Sequence, residues 1–479
     1  MSAARGHSTN PIAVVDLGKT NTKIFVFSSH GDVIAQYRTE PRWVEIDAIS
    51  VLDDAASEAW IQQKLADAVQ VHNVDAVMFS GHGCTFALIR ENALAFPILD
   101  YEQAPPDELT DQIAAQIPHF SETFSPPLPL GYNFSRHLLW MELRHPQRFA
   151  DADTILTYPQ FWAWRLSGNT CSEVSYLGCH SDLWAPLDDD YSSLVISREW
   201  RAKMPAMVRA GAVIGHHDVA LPDGTTKPIA VHNGVHDSNA ALYYYRSILG
   251  HDFTLISTGT WVVIFNPSCP PDALNMHRDM LANVTVDHDM VATIRFMGGR
   301  EYEVIADGYR ETVTPKILQT VVEKGIFALP SFAAGGPMQN LPGALSGPEP
   351  DRHERAGVAI LYVALMCDLS LDLIQSHNPL VIDGGLTKSP VFAGLIGQLR
   401  TSQNVSTSPL SEGSAFGAAA LAFEATGCEP FIDQTTLSTA LEIRGLQQYR
   451  DHWRALIDLA WQTGAYPKAS ADMSKFAFL

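Results

Sequence analysis

The chain has 479 residues, of which 46% are hydrophobic and 18% are charged, so it can bury two cores of roughly two hundred residues each. Its 53 acidic and 32 basic side chains give a net charge of −21. This charge argues against nucleic acid or an anionic membrane as partner, because phosphate groups favour clustered lysine and arginine. The cysteines form no C-x-x-C pair, and no apolar leader or run of about 18 apolar residues is present. We therefore expect a two-domain cytoplasmic protein with reduced thiols.

The first motif is the stretch DLGKTNTK, Asp16–Lys23, between two apolar runs that predict β-strands, Ile12–Val15 and Ile24–Phe27. A glycine in such a turn lets backbone N–H groups approach a phosphate, and an aspartate at the strand end can hold a metal-bound water. A plain hairpin without a ligand explains so short a motif equally well. The candidates for phosphate binding in this turn are Gly18, Lys19, Thr20 and Thr22.

A second stretch repeats the pattern of strand, turn and strand. It runs from Leu255 to Phe265 with the turn Thr258-Gly259-Thr260. Two such turns in two halves of the chain predict an internal duplication, with a phosphate-binding turn in each half.

Two further motifs follow predicted strands. Asp237 stands after the apolar run Ile229–Val231 at the start of a helical run, where aspartate is also a favoured N-cap. The second is Leu380–Phe392, in which a strand leads into Gly384-Gly385 and a helix with proline near its first turn. Paired glycines at this point leave room for a flat ligand.

Taken in order along the chain, these four motifs resemble the FGGY family of carbohydrate kinases. The family belongs to the actin-like, hexokinase-like and heat-shock-ATPase-like fold group. The resemblance implies an α/β fold with two actin-like (ribonuclease H-like) domains and an ATP/sugar cleft between them. We place the sugar-binding domain with the catalytic base at residues 1–245 and the ATP-binding domain at residues 246–479.

The resemblance also assigns roles to residues. Asp237 becomes the catalytic base that takes the proton of the sugar hydroxyl, and Asp16 becomes a Mg²⁺ ligand through water. The expected ATP phosphate-binding residues are Gly18, Lys19, Thr20, Thr22, Thr258, Gly259 and Thr260. The expected adenosine-binding residues are Gly384, Gly385 and Ser389. The expected sugar-binding residues are His82, Gly83, Tyr101, Glu102, His236 and Asp237.

Some of these assignments have alternatives. His82 could be a turn histidine without a ligand, since histidine between glycines is common in loops. Lys19 stands where the family commonly has Thr, Ser or Ala, so it could reach a phosphate or be a solvated turn lysine. His232 and His236 are spaced i, i+4, but the loop sequence between them argues against a shared metal ion.

Several helices are predicted from periodicity and capping. One is capped by Asp53 or Asp54 and runs to about Val71, and a long apolar helix spans Glu354–His377. A closing helix, rich in small residues that permit close packing, runs to Leu421 with Ser411 as its N-cap.

The sequence thus predicts an ATP-dependent sugar kinase acting on a ketose, deoxyketose or polyol, similar to the rhamnulose- and fuculose-type kinases. A possible homodimer is compatible with this reading. The Gly335–Pro337 segment departs from the family pattern and motivates a rival, an ATP- and sugar-binding regulatory protein with little catalysis. A phosphatase of the same fold group is a third hypothesis.

Overall fold

A computed structural model of the chain describes residues 10–309 and 312–466, and these residues form two compact units. The first contains the chain up to Gly250 together with Ala282–Val291 and Glu412–Asp433. The second contains His251–Leu281, Ala292–Ser411 and the described chain from Gln434 onward. The predicted linear boundary between residues 245 and 246 does not capture the two later segments of the first unit, because their contacts are with residues distant in sequence.

The strands are numbered in chain order. They are β1 Ile12–Leu17, β2 Thr22–Phe27, β3 Val33–Thr39, β4 Trp43–Ile46, β5 Ile49–Leu52, β6 Ala76–Gly81, β7 Phe86–Arg90, β8 Ala93–Leu94, β9 Thr154–Thr157, β10 Trp184–Ala185, β11 Asp190–Tyr191, β12 Val213–Ala220, β13 Thr226–His232, β14 Val235–His236, β15 Thr254–Thr258, β16 Val262–Asn266, β17 Met280–Val284, β18 Met290–Phe296, β19 Phe327–Leu329, β20 Ala344–Ser346, β21 Leu380–Gly384, β22 Val405–Thr407 and β23 Thr436–Leu437.

The α-helices are also numbered in chain order. They are α1 Asp54–His72, α2 Thr110–Ala114, α3 Phe120–Thr123, α4 Ser135–Arg144, α5 Pro146–Ala150, α6 Tyr158–Ser167, α7 Val174–Leu177, α8 Ser193–Ser197, α9 Asp237–Leu249, α10 Gly298–Ala306, α11 Pro315–Lys324, α12 Arg352–Leu373, α13 Phe392–Leu399, α14 Gly413–Ala425 and α15 Leu446–Thr463.

The central sheets of the two units share one strand order. In the first, the order is β3-β2-β1-β6-β13-β12, and β14 also pairs with β6. In the second, the order is β18-β16-β15-β21-β22-β23. In each sheet a hairpin, β1–β2 or β15–β16, is antiparallel, and its first strand is parallel to the next strand, β6 or β21. This repeated actin-like, ribonuclease H-like order confirms the predicted duplication.

Helices α9 and α14 pack closely in the first unit. A Cβ on Gly417 would lie 1.7 Å from the carbonyl oxygen of Ala240, so only glycine allows this helix separation. The close packing predicted for the closing helix is therefore confirmed. The predicted N-cap, Ser411, is wrong: α14 begins at Gly413, and Glu412 occupies the N-cap position without a side-chain cap. Ser411 lies one residue too early to reach the first amide groups of the helix.

The predicted helices α1 and α12 are confirmed with small changes. Asp53 caps α1 and its carboxylate accepts a hydrogen bond from the Ala56 amide at 3.0 Å. Helix α12 is capped by Asp351, which forms a capping box with Glu354. Among the described helices, α12 is the one long and apolar enough to cross a membrane, but 89% of that apolar window is buried inside the protein. It is therefore the core helix of the second unit.

Candidate active site

Three strands of the first unit end side by side. β6 lies between β1 and β14 and is parallel to both, with Asp16 opposite Ser80 and His236 opposite Gly81. The carboxyl ends of parallel strands meet at one edge of a sheet, where ligands bind in open α/β folds. The topology therefore places Asp16, the loop after Gly81 and the start of α9 at a single edge.

Asp237 is the first residue of α9, and its two carboxylate oxygens have different surroundings. Oδ1 accepts the backbone N–H of Ser238 at 2.6 Å and the Ser238 hydroxyl at 3.2 Å, and it lies 3.3 Å from Nε2 of His236. Among the described residues, no donor contacts Oδ2. The positive end of the helix dipole also favours a negative charge here. One oxygen is thus fixed, and the other is open to a hydroxyl group. The alternative prediction made Asp237 the N-cap of the helix. The N-cap of α9 is instead His236, whose side chain makes no capping hydrogen bond.

Asp16 lies near the end of β1, close to several other charged side chains. Its register partner on β2 is Lys23, whose ammonium group lies 2.7 Å from both carboxylate oxygens of Glu412. Burial, together with the nearby negative charge of Asp237, raises the pKa of Asp16 to about 7, and the charge of Lys23 opposes this rise. Two neighbouring carboxylates that repel each other form an arrangement that a bound cation would stabilise.

The carboxylates at this strand end could hold magnesium only through water molecules bound to the ion. In the described ranges, no group of three or more His, Cys, Asp or Glu residues could hold a metal ion. Magnesium keeps several of its waters and is commonly bound through one or two carboxylates plus substrate phosphates. Asp16 fits such a role, because its carboxylate lies at the strand end beside Asp237.

His82 follows β6 and is buried, with 7% of its surface exposed. Its Nδ1 lies 2.8 Å from the carbonyl oxygen of Gly83, so Nδ1 carries the proton and Nε2 is an acceptor. Burial lowers the pKa of His82, which keeps the ring neutral. Nε2 is buried without a partner, and the ring packs between Tyr101 at 5.1 Å and Tyr158 at 4.8 Å. A buried acceptor without a partner is suited to a ligand hydroxyl.

Gly83, the other predicted sugar-site residue of this loop, lies against His236. A Cβ at this position would come 3.1 Å from Nε2 of His236. The structure therefore brings together His82, Gly83, His236 and Asp237.

Lys19 adopts neither predicted arrangement. Its ammonium group forms an ion pair with Asp100, lies 3.9 Å from Glu102 and sits 3.9 Å from the ring centre of Trp43. The same group is 5.1 Å from the ring centre of Tyr101, which joins this cluster to His82. Lys19 is directed into the first unit because an ammonium group gains from both a carboxylate and aromatic faces. Sequence reasoning missed Trp43, which is distant in sequence and belongs to no motif.

The first turn uses most of its polar groups internally. The N–H of Gly18 donates to the carbonyl oxygen of Asn21 at 3.0 Å, and a Cβ on Gly18 would lie 2.6 Å from that oxygen. Thr22 is buried as the first residue of β2, whereas Thr20 is exposed. The N–H of Gly18 is therefore already used within the turn, and the assignment of Gly18 to phosphate binding stays a prediction. Thr20 keeps an exposed hydroxyl.

The turn of the second hairpin, Thr258-Gly259-Thr260, also uses polar groups for hydrogen bonds within its own unit. The N–H of Gly259 donates to the carbonyl oxygen of Trp261 at 2.8 Å. The hydroxyl of Thr258 donates to the carbonyl oxygen of Asp383 at 2.5 Å and accepts the N–H of Leu386 at 3.0 Å. Thr258 therefore fastens the turn to the neighbouring strand end, and its hydroxyl is already occupied.

That neighbouring strand end carries the predicted adenosine-binding residues. Thr258 pairs with Gly384 in parallel register, and a Cβ on Gly384 would lie 2.0 Å from the carbonyl oxygen of Thr258. Gly384 also has φ +86°, a conformation that favours glycine. Gly385 begins a short 3₁₀ helix, and Ser389 follows at its end. The second unit thus places Gly259, Thr260, Gly384 and Gly385 along one sheet edge.

The Gly335–Pro337 segment is joined to the second turn through side chains. Asp279 accepts the N–H of Gly336 at 2.8 Å and pairs with Arg295 at 3.2 Å. The guanidinium group of Arg295 lies 4.9 Å from the ring centre of Trp261. The segment is thereby part of the framework around the second turn.

Comparisons with known proteins agree with this geometry. Residues 12–243 match the FGGY family of carbohydrate kinases, N-terminal domain, and residues 250–430 match the carbohydrate kinase FGGY C-terminal domain. The chain belongs to the FGGY family. A solved structure of a carbohydrate kinase from Novosphingobium aromaticivorans is 34% identical, with a TM-score of 0.85 over 95% of this chain and 100% of that chain.

Curated FGGY relatives are more distant. L-fuculokinase of Escherichia coli strain K12 is 23% identical over 281 residues, covering 54% of this chain and 57% of the relative. Xylulose kinase of the same strain is 24% identical over 272 residues, covering 52% of this chain and 53% of the relative. The matched part thus spans little more than half the length of these relatives. A ligand-bound xylulose kinase from Lactobacillus acidophilus shares the fold, with a TM-score of 0.76 over 98% of this chain and 100% of that chain at 15% identity.

Proposed function

We propose that this FGGY protein is an ATP-dependent kinase that phosphorylates a hydroxyl group of a small sugar. The carrying observation is the carboxylate of Asp237, whose Oδ1 accepts two hydrogen bonds from Ser238 while Oδ2 is open among the described residues. The buried Nε2 of His82 supports the proposal, because it offers an acceptor to a second hydroxyl of the same sugar. A cytoplasmic setting is part of the proposal.

The proposed reaction uses these atoms directly. The acceptor hydroxyl donates its hydrogen bond to Oδ2 of Asp237, which takes the proton as the sugar oxygen attacks the γ-phosphorus of ATP. The new P–O bond forms while the bond between the γ-phosphorus and the bridging oxygen breaks, and ADP leaves. Asp237 then returns its proton to solvent. Neutral His82 holds a neighbouring hydroxyl, which orients the sugar for attack.

The nucleotide is assigned mainly to the second unit. Exposed Gly259 and Thr260 are proposed for the phosphates, and Gly384, Gly385 and Ser389 for adenosine. Thr20 of the first unit is proposed as an additional phosphate donor. Magnesium bound to the ATP phosphates would neutralise their charge during transfer, and Asp16 is the residue that would hold it through water.

For the sugar, ketoses and deoxyketoses are the first candidates. The curated relatives are named L-fuculokinase and xylulose kinase. The aromatic surroundings of His82, which include Tyr101 and Tyr158, also suit a small ligand with apolar carbon faces.

The deciding experiment measures ADP production with Mg·ATP against a panel of ketoses, aldoses, polyols and sugar acids. We expect one sugar to stimulate turnover clearly. Asp237→Asn should then lower kcat by about a thousandfold, because a general base contributes roughly 10²–10⁴.

The matched control is Asp223→Asn, at an exposed turn between β12 and β13. It should leave kcat unchanged. If ATP binds but no sugar stimulates ADP release, the regulatory hypothesis is favoured. Sugar-independent hydrolysis of ATP would favour the phosphatase.

A further inference from the structure

Asn239 is a buried amide two residues after Asp237 in α9, with 2% of its surface exposed. Its Nδ2 donates to the carbonyl oxygen of Ser175 at 3.1 Å and lies 3.1 Å from Nδ1 of His236. A carbonyl oxygen only accepts hydrogen bonds, so the amide NH₂ must point toward Ser175. Its second hydrogen is then directed at His236, and this orientation of the amide is fixed.

The amide orientation determines the protonation of His236. Because Nδ1 accepts a hydrogen bond from Asn239, it cannot carry a proton. Burial lowers the pKa of His236, although the charge of Asp237 opposes this, so the ring is neutral. The proton of neutral His236 therefore resides on Nε2, which lies 3.3 Å from Oδ1 of Asp237. Cys179 Sγ lies 3.4 Å from the same nitrogen, but a carboxylate is the stronger acceptor.

We propose that Asn239 is a positioning residue that holds His236 in its Nε2–H tautomer, so that His236 fixes Oδ1 of Asp237 and leaves Oδ2 for the sugar hydroxyl. The inference rests on the proposed role of Asp237 as catalytic base. Asn239 itself contacts neither the sugar nor the phosphate, and it acts through His236.

The opposite tautomer would have a distinct effect. With the proton on Nδ1, the lone pair of Nε2 would face the Oδ1 lone pairs of Asp237. That repulsion would disfavour the ionised carboxylate and the present orientation of its oxygens. Loss of Asn239 should therefore lower kcat and shift the acid limb of the rate profile, while the KM for sugar changes little.

Other titratable groups surround this pair. His236 faces Cys179 and the ring of Tyr176, and it interacts electrostatically with His82; Asp237 also interacts with Asp16. These groups remain in place when Asn239 is changed. A shift of the acid limb in an Asn239 variant would then report the altered His236–Asp237 contact.

The test is a double-mutant cycle of Asn239→Leu and His236→Leu, with kcat/KM measured for the most active sugar among L-fuculose, xylulose and the wider panel. Asn239→Leu alone should lower kcat by about tenfold and move the acid limb to higher pH. In the His236→Leu background, the same change should cost no further activity. Independent, multiplicative losses would overturn the proposal. The control Asn266→Leu, at a fully buried asparagine of the second unit, should not move the acid limb.

A second measurement needs no activity. Nitrogen-15 NMR of histidine-labelled protein, with the His236 signal assigned from His236→Leu, should show Nε2 protonated and Nδ1 unprotonated. Protonated Nδ1 would overturn the proposal. If Asn239→Leu does not fold, Asn239→Ser removes the same amide donor with a smaller side chain. The two proposals can fail separately. If no sugar is phosphorylated, the kinase proposal fails. If the Nε2–H tautomer is nevertheless found in the parent protein and is lost in either Asn239 variant, the positioning role of Asn239 stands.

Discussion

The two hairpins at the centre of the two sheets have the same strand pairing, but they differ in turn length and in chemistry. Each closes its turn with a glycine N–H, from Gly18 to Asn21 at 3.0 Å and from Gly259 to Trp261 at 2.8 Å. On the strands beside these turns, the first hairpin pairs Asp16 with Lys23, whereas the second pairs Ser257 with Val263. The duplicated fold thus supplies a turn closed by a glycine N–H in each unit. Of the two hairpins, only the first carries charged side chains.

Of the changes within the two hairpins, Asp16→Asn should have the strongest effect. Asp16 is half-buried and lies near the charge of Asp237, and its pKa is raised from 3.8 to about 7, so the folded state binds its proton more tightly than the unfolded state. The stability from this protonation is present below about pH 4 and is lost as pH rises toward 7. The asparagine variant does not titrate. Its unfolding free energy should therefore rise relative to the parent between pH 4 and pH 8, by about 2 kcal/mol after discounting for partial solvent exposure.

Activity should move in the opposite direction. Asp16→Asn removes the carboxylate proposed to bind magnesium through water, and kcat/KM should fall at least about a hundredfold. Urea unfolding at the two pH values and a kinase assay with varied magnesium measure the two effects. Ser257→Ala, at the corresponding place in the second hairpin, should change neither one appreciably. An Asp16→Asn variant that is equally active at saturating magnesium would remove the proposed role.

The strand ends that carry the candidate site residues could be predicted from the sequence, whereas the side-chain contacts between them could not. Asp16 and the Gly384-Gly385 pair are recognisable because each follows an apolar run in the sequence, and Asp237 because it begins a helical run shortly after one. The pairing of Lys19 with Asp100 and the contact between Asn239 and His236 depend on side-chain directions, which periodicity does not fix. The hydrogen bond from the Gly18 N–H to Asn21 could not be predicted either, since a turn motif does not show whether the turn closes on its own N–H. The contact between Glu412 and Lys23 could not be predicted from the order of the motifs, because only tertiary packing brings these distant residues together.

A smaller effect is expected from Lys19→Met. The ammonium group is held by Asp100 and Trp43 beside Tyr101, which packs on His82. Its loss leaves the carboxylate of Asp100 without its cation, and this should loosen the proposed sugar side of the site. The KM for sugar should rise about tenfold, an effect of roughly 1.4 kcal/mol, while the KM for ATP stays within about twofold. Steady-state kinetics with each substrate varied in turn would measure this.

The surface pair of Lys64 and Asp67 offers a control, since Lys64→Met removes a lysine from an ion pair on α1. It should alter neither KM. A raised KM for ATP with an unchanged KM for sugar in Lys19→Met would return Lys19 to the phosphate-binding role.

A prediction that concerns stability alone compares the two turn glycines directly. A Cβ on Gly18 would lie 2.6 Å from the carbonyl oxygen of Asn21, so Gly18→Ala forces the turn to shift and should destabilise the first unit by about 1–3 kcal/mol. A Cβ on Gly259 has its nearest neighbour, the carbonyl oxygen of Trp261, at 3.7 Å, so Gly259→Ala should change stability by less than about 0.5 kcal/mol. Calorimetric Tm values of both variants test this asymmetry. Equal losses would mean that the second turn is as tightly constrained as the first, and that the hairpins differ only in their charges.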